Sequence, residues 1–189
     1  MKTHAFLAPV AAIAGLGAAL AFMPASAAQA EEVTVQMHHI DATGMGKPLG
    51  TVTAFDSDNG LVLRLDLDDT LSPGAHGFHV HENGTCEPAM KDNKTVPGLA
   101  AGGHYDPKGT GTHMGPSGTG HLGDLPVIYV DIDEDGTRPV KRPLVAPRLK
   151  VSDIRGKALI IHEGGDNYRD DPKPLGGGGA RVACGVVSG

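Results

Sequence analysis

The stretch Gly74-Ala75-His76-Gly77-Phe78-His79-Val80-His81-Glu82 decides how this chain is read. His79 and His81 stand at i and i+2, so on an extended strand both imidazoles project from one face and offer two nitrogens to a single metal. Six of the ten histidines lie within residues 74–124, a region that closes with Gly120-His121-Leu122-Gly123-Asp124. His104, His113 and His121 follow at intervals of nine and eight residues in a run full of Gly and Pro, with Asp124 three residues after the last. That spacing belongs to loops, not to a helix. Three histidines and a carboxylate match a closed tetrahedral zinc shell, whereas a cluster made mostly of neutral imidazoles also suits copper. The donors suffice for two metals. His162 ends the apolar run Ala158-Leu159-Ile160-Ile161 and is expected to join His79 and His81 from the end of a buried strand. His76 reads as a structural residue bonding backbone groups, and His38 and His39 as surface histidines at a strand end.

Outward from this stretch, the rest of the chain reads as strand. Glu32-Val33-Thr34-Val35-Gln36-Met37 alternates, and Leu61-Val62-Leu63-Arg64-Leu65-Asp66-Leu67 places leucine at every second position, the period of a half-buried strand. Asn59-Gly60 between residues 49–55 and 61–67 is a hairpin signal, so those two runs should pair antiparallel. Further strands are expected over residues 77–82, 126–132, 138–145, 157–162 and 181–187. With 28 Gly and 14 Pro punctuating about eight short strands and no amphipathic helix, the expected class is all-β, an antiparallel barrel or sandwich. Two long segments, residues 83–123 and 163–180, lack periodicity and are expected to be functional loops.

Residues 1–30 have the form of an export leader: Lys2 at the start, an apolar run over residues 5–23, and Ala28-Gln29-Ala30 as a small-x-small cleavage site. Their removal leaves one domain, residues 31–189, with no stable membrane anchor. A net charge of -6 argues against nucleic acid as a partner. Cys86 and Cys184 are the two cysteines, and in an exported chain a disulfide between them is expected.

Three motifs fail on inspection. Asp131-Ile132-Asp133-Glu134-Asp135-Gly136 imitates a calcium loop, but its twelfth position is Arg142 where a bidentate Glu is needed, so it reads as a hairpin turn. His162-Glu163-Gly164-Gly165-Asp166 lacks the second histidine of a zinc-protease helix. Gly176-Gly177-Gly178-Gly179 lacks the Lys-Ser or Lys-Thr of a phosphate loop and reads as a flexible run.

Taken together, Gly77-Phe78-His79-Val80-His81-Glu82, Gly103-His104-Tyr105-Asp106-Pro107, Gly120-His121-Leu122-Gly123-Asp124-Leu125-Pro126, Ile161-His162-Glu163 and Gly177-Gly178-Gly179-Ala180-Arg181-Val182-Ala183-Cys184-Gly185 resemble the copper-zinc superoxide dismutases of the bacterial periplasmic branch. The resemblance runs in order over essentially all of residues 31–189. It implies a Greek-key β-barrel, with copper held by His79, His81, His104 and His162, zinc by His104, His113, His121 and Asp124, and His104 bridging the two as imidazolate. It further implies Asp166 as the carboxylate linking ligand histidines of the two sites, Arg181 as the residue facing the anionic substrate, and Cys86–Cys184 as the family disulfide. The implied activity is dismutation of superoxide to oxygen and hydrogen peroxide in the periplasm, with one copper and one zinc per chain, His104 carrying a proton, and the protein a monomer or homodimer. Lys91 and Lys94 are candidates for steering the anion, with a solvated-lysine reading beside it. The alternatives are a periplasmic metal-binding or metal-delivery protein without turnover, and a zinc hydrolase. Retention of Arg181 with every ligand argues against the first, and the closed His-His-His-Asp set against the second.

Overall fold

The computed structural model describes residues 1–2 and 31–189 of the chain; the expected leader falls on residues outside those described, apart from its first two. Among the described residues no helix is long and apolar enough to cross a membrane. The elements are β1 (Glu32–Asp41), β2 (Gly44–Ser57), β3 (Gly60–Leu67), β4 (Gly74–His76), β5 (Phe78–His81), β6 (Ala89–Lys91), β7 (Lys94–Val96), β8 (Ile128–Val130), β9 (Pro143–Ala146), the one-turn helix α1 (Val151–Ile154), β10 (Ala158–His162) and β11 (Arg181–Val186). One antiparallel sheet runs β5-β10-β11-β1-β2-β3-β9, and β4 pairs with β8. The chain thus makes a three-strand meander, crosses to the far side of the sheet for β5, and returns to the β3 edge at β9. This is the expected Greek-key all-β class, and with β4 and β5 taken as one strand broken at Gly77 the principal strands number about eight.

Alternation builds the core. Leu61, Leu63, Leu65 and Leu67 of β3 are all buried, with Arg64 and Asp66 between them exposed, and Val33, Val35 and Met37 of β1 pack into the same cluster. The Asn59-Gly60 hairpin forms as expected, with Ser57 opposite Gly60. β5 and β10 are buried on both faces. Phe78 and Val80 of β5 and Leu159 and Ile161 of β10 enter the main core, whereas Ala158 and Ile160 join a smaller cluster with Ile40, Ala101, Cys86 and Cys184. The period of two leaves His79 and His81 on this second side, where His79 is register partner of Ile160 and His81 of Ala158. The site therefore lies outside the barrel wall, under the long loops.

Three expectations need correction. The strand expected over residues 138–145 is shorter, β9 with a single bridge from Val140 to Leu67, because Pro139 and Pro143 remove ladder donors and confine this segment to a sheet edge. The turn around Asp133–Gly136 is present, but it joins β8 to a segment that pairs elsewhere, so it closes no hairpin. The loop over residues 83–123 contains the hairpin β6–β7, whose turn residues Asp92 and Asn93 have φ of 51° and 59°. Two successive left-handed residues make a tight turn that asparagine and aspartate tolerate.

Candidate metal centre

The free edge of β5 is where the long loop is sewn on. Glu82 N donates to Gly103 O at 3.1 Å, Tyr105 N to Val80 O at 2.8 Å and Val80 N to Gly123 O at 2.9 Å, so the residues around His104 and Asp124 lie as short ladders beside the strand. His81 thereby faces His104, and His79 faces Asp124. Gly123 must be glycine for this approach, since a Cβ there would overlap the Val80 carbonyl. His162 arrives from the end of β10, on the face that carries Ala158 and Ile160, across a bulge that sets it opposite Arg181.

Two groups result. His79, His81, His104 and His162 converge, as do His104, His113, His121 and Asp124, the donor atoms within each group lying within 4.8 Å of one another. His104 belongs to both, and its ring stacks on that of His79 with centroids 3.9 Å apart. All seven residues are buried. In the second group Asp124 Oδ1 is the meeting point: His104 Nδ1 is 3.1 Å away, His113 Nδ1 3.0 Å and His121 Nδ1 3.4 Å. Asp124 Oδ2 meanwhile accepts from Met114 N at 3.0 Å and Gly115 N at 3.1 Å.

The donor chemistry tests whether metals fit. A buried imidazole nitrogen without a partner is costly. Yet each of the six histidines in the two groups leaves one: Nδ1 of His79, His113 and His121, and Nε2 of His81, His104 and His162. The opposite nitrogen is held in most of them. His81 Nδ1 donates to Gly102 O at 3.0 Å and His162 Nδ1 to Gly179 O at 3.2 Å. Asp166 serves two rings, with Oδ2 2.8 Å from His79 Nε2 and Oδ1 2.8 Å from His113 Nε2. Rings fixed at one nitrogen and bare at the other are arranged for coordination. Four imidazoles suit copper, and three with a carboxylate suit zinc.

Protonation agrees. Burial first, and then the neighbouring His104, hold His79 and His81 well below the ordinary histidine value, and burial pushes His162 down to about 4. These rings are neutral at pH 7, with lone pairs free. Burial also opposes charge on His113, but the flanking Asp124 and Asp166 carboxylates outweigh it and push the ring up to about 9. Burial likewise resists ionisation of Asp124 and Asp166, yet their histidine partners hold both carboxyls below the usual carboxylate range.

The run Gly176-Gly177-Gly178-Gly179 is not the flexible stretch expected. Gly176 has φ of 69° and is buried; a Cβ there would overlap Asp166 Oδ1 and crowd His113 Nε2. Gly178 packs on the His162 ring. These glycines permit close approach to the ligands. Arg181 opens β11 half-buried, with Nη1 donating to Gly98 O and Nη2 to Gly102 O at 2.7 Å. Cys86 and Cys184 form the expected disulfide, which ties the loop carrying those carbonyls to the same strand.

The family profile for copper/zinc superoxide dismutase matches residues 49–187. The chain belongs to the copper/zinc superoxide dismutase family. It is 50% identical over 171 residues to superoxide dismutase Cu-Zn 2 of Salmonella typhimurium, covering 90% of this chain and 96% of that one. The Cu/Zn superoxide dismutase structure from Brucella abortus aligns with a TM-score of 0.79 at 51% identity, over 84% of this chain and all (100%) of the other. The monomeric copper, zinc superoxide dismutase from Salmonella enterica aligns with a TM-score of 0.73 at 49% identity, over 84% of this chain and 100% of the other.

Within this copper/zinc superoxide dismutase frame, the remaining candidates fall as follows. His76 places its ring nitrogens 2.7 Å from the His162 carbonyl oxygen and 2.8 Å from that of Ser72, the structural position expected. The ring of His38 bonds Gly46 O and that of His39 bonds Thr70 Oγ1, and both lie outside the two groups. Lys91 and Lys94 flank the β6–β7 turn, exposed. The sequence reading missed Arg148, whose guanidinium bonds four carbonyls of the loop between His113 and His121. No local motif announces it.

Proposed function

We propose that this chain dismutes superoxide in the periplasm, with copper held by His79, His81, His104 and His162, zinc by His104, His113, His121 and Asp124, and His104 shared between them as an imidazolate. The observation that carries the reading is the set of six unpartnered buried nitrogens, one on each of the six histidines of the two groups. When bound, copper supplies the one-electron couple that oxidises one superoxide and reduces another, and zinc supplies a fixed positive charge with no redox change of its own. Two superoxide anions and two protons become one oxygen and one hydrogen peroxide.

The protein's own groups do the rest. His104 is the residue at which a proton can be stored and returned: Nδ1 faces Asp124 at 3.1 Å, while Nε2 faces the other three histidines unpartnered. Asp166, bonded to His79 and His113, orients one ring of each group, so the two sets are mechanically linked beside the shared imidazole. Arg181 binds the anion. Only part of its five-donor fork is spent on Gly98 and Gly102, which leaves N–H groups and the positive charge for superoxide. In a chain of net charge -6, attraction of an anion must come from this local field. Lys91 and Lys94 extend it at long range.

The leader over residues 1–30 would be removed on export, leaving residues 31–189 as one domain, a monomer or homodimer. The Cys86–Cys184 disulfide supports an oxidising compartment. The bridge is tested by loading the chain with copper and then titrating zinc. A shared His104 predicts that zinc alters the copper spectrum, and a copper spectrum indifferent to zinc would exclude it.

A further inference from the structure

The segment Gly115-Pro116-Ser117-Gly118-Thr119-Gly120-His121 has three glycines and, apart from the half-buried Pro116, no aliphatic side chain, so apolar burial does little to hold it. It nevertheless sets the separation of His113 and His121. Its backbone groups must find partners as the loop folds onto the barrel. On the N–H side, Asp124 Oδ2 accepts from Gly115 and the adjoining Met114. On the C=O side one side chain serves: Arg148 donates from Nε to Pro116 O at 2.9 Å, from Nη1 to Gly120 O at 3.1 Å, and from Nη2 to Gly115 O at 3.1 Å and to His121 O, while Gly115 O also accepts from Gly118 N at 3.3 Å. Arg148 stands two residues beyond β9, beside Leu149, which is 1% exposed in the main core. Its base is therefore rigid.

We infer that Arg148 is a positioning residue for the zinc group, clamping the reversal between His113 and His121 so that both Nδ1 atoms converge on Asp124. It acts through the loop and touches neither metal donor atom. A planar guanidinium can reach four carbonyls spread along a curve, whereas the three donors of a lysine radiate from one point. The inference rests on the zinc assignment above and names what the barrel contributes to it.

The test uses the mature chain with Arg148→Met, which keeps much of the stem and removes the donors, and Arg148→Lys beside it. Zinc is competed with a chromogenic chelator, copper affinity is measured in parallel, and cobalt(II) placed in the zinc group is read by its visible spectrum. Arg148→Met should lower zinc affinity by about 10-fold or more and change the cobalt spectrum, while copper affinity and the melting of the metal-free chain hold. Arg148→Lys should restore only part of the loss. Zinc affinity and cobalt spectrum equal to wild type would overturn the inference. So would parallel loss of both metals with a lower melting temperature, which would make Arg148 a general fold residue. A wild-type chain that takes no zinc at this group would instead refute the zinc assignment itself.

Discussion

Five of the six imidazoles in the two groups are held at one nitrogen, which leaves the other for a metal. Asp166 alone fixes a ring in each group, and a carboxylate so buried is tolerated because both its oxygens are bonded. Arg181 shows the same economy, since the two carbonyls that orient it come from the loop that also carries His104. Replacing Arg181 by Ala should lower the superoxide rate about 10-fold or more and flatten its dependence on ionic strength, with both metals retained. Stopped-flow rates across a salt series, with metal analysis of the same samples, would check this; an unchanged rate and salt slope would remove Arg181 from the reaction. His79, His81 and His162 are legible from residue type and strand phase alone. The bridging role of His104 and the roles of Asp166 and Arg181 came only through resemblance, because their partners lie far off in sequence and leave no local pattern.

At the scale of elements, the site is a strand edge completed by loops. β5 and β10 have no exposed face, and that is why they read as short apolar runs interrupted by histidine, while β3 reads as alternation. The long loop over residues 83–123 looked structureless because what orders it is non-local: ladders to β5, the metal donors, and the Cys86–Cys184 bridge. The β6–β7 hairpin was readable in principle from Lys91-Asp92-Asn93-Lys94, a two-residue left-handed turn without glycine. The disulfide spans 98 residues, so in the chain-entropy treatment it is worth about 3 to 5 kcal/mol. Substituting both Cys86→Ser and Cys184→Ser should lower the melting temperature by roughly 10 °C under oxidising conditions. Activity should fall as well, because the carbonyls of Gly98 and Gly102 are then tethered less firmly under Arg181. Calorimetry alongside the activity assay decides it, and an unaltered melting temperature would deny the bridge a stabilising role.

For the whole molecule, fold and chemistry divide cleanly. The barrel interior is aliphatic and holds the strands; the two histidine groups lie outside that interior, beneath the loops. The all-β class, the Asn59-Gly60 hairpin and the long functional loops were readable because period-two alternation and turn chemistry are local. The strand over residues 138–145 was overread, since apolar character there reflects an edge broken by Pro139 and Pro143. Arg148 was invisible for the converse reason: its partners are carbonyl oxygens, which every residue has. The most direct test of the account is metal content measured together with superoxide turnover on residues 31–189, expressed into an oxidising compartment with copper and zinc supplied. The account predicts one copper and one zinc per chain with rapid dismutation; full loading with both metals and no turnover would contradict it.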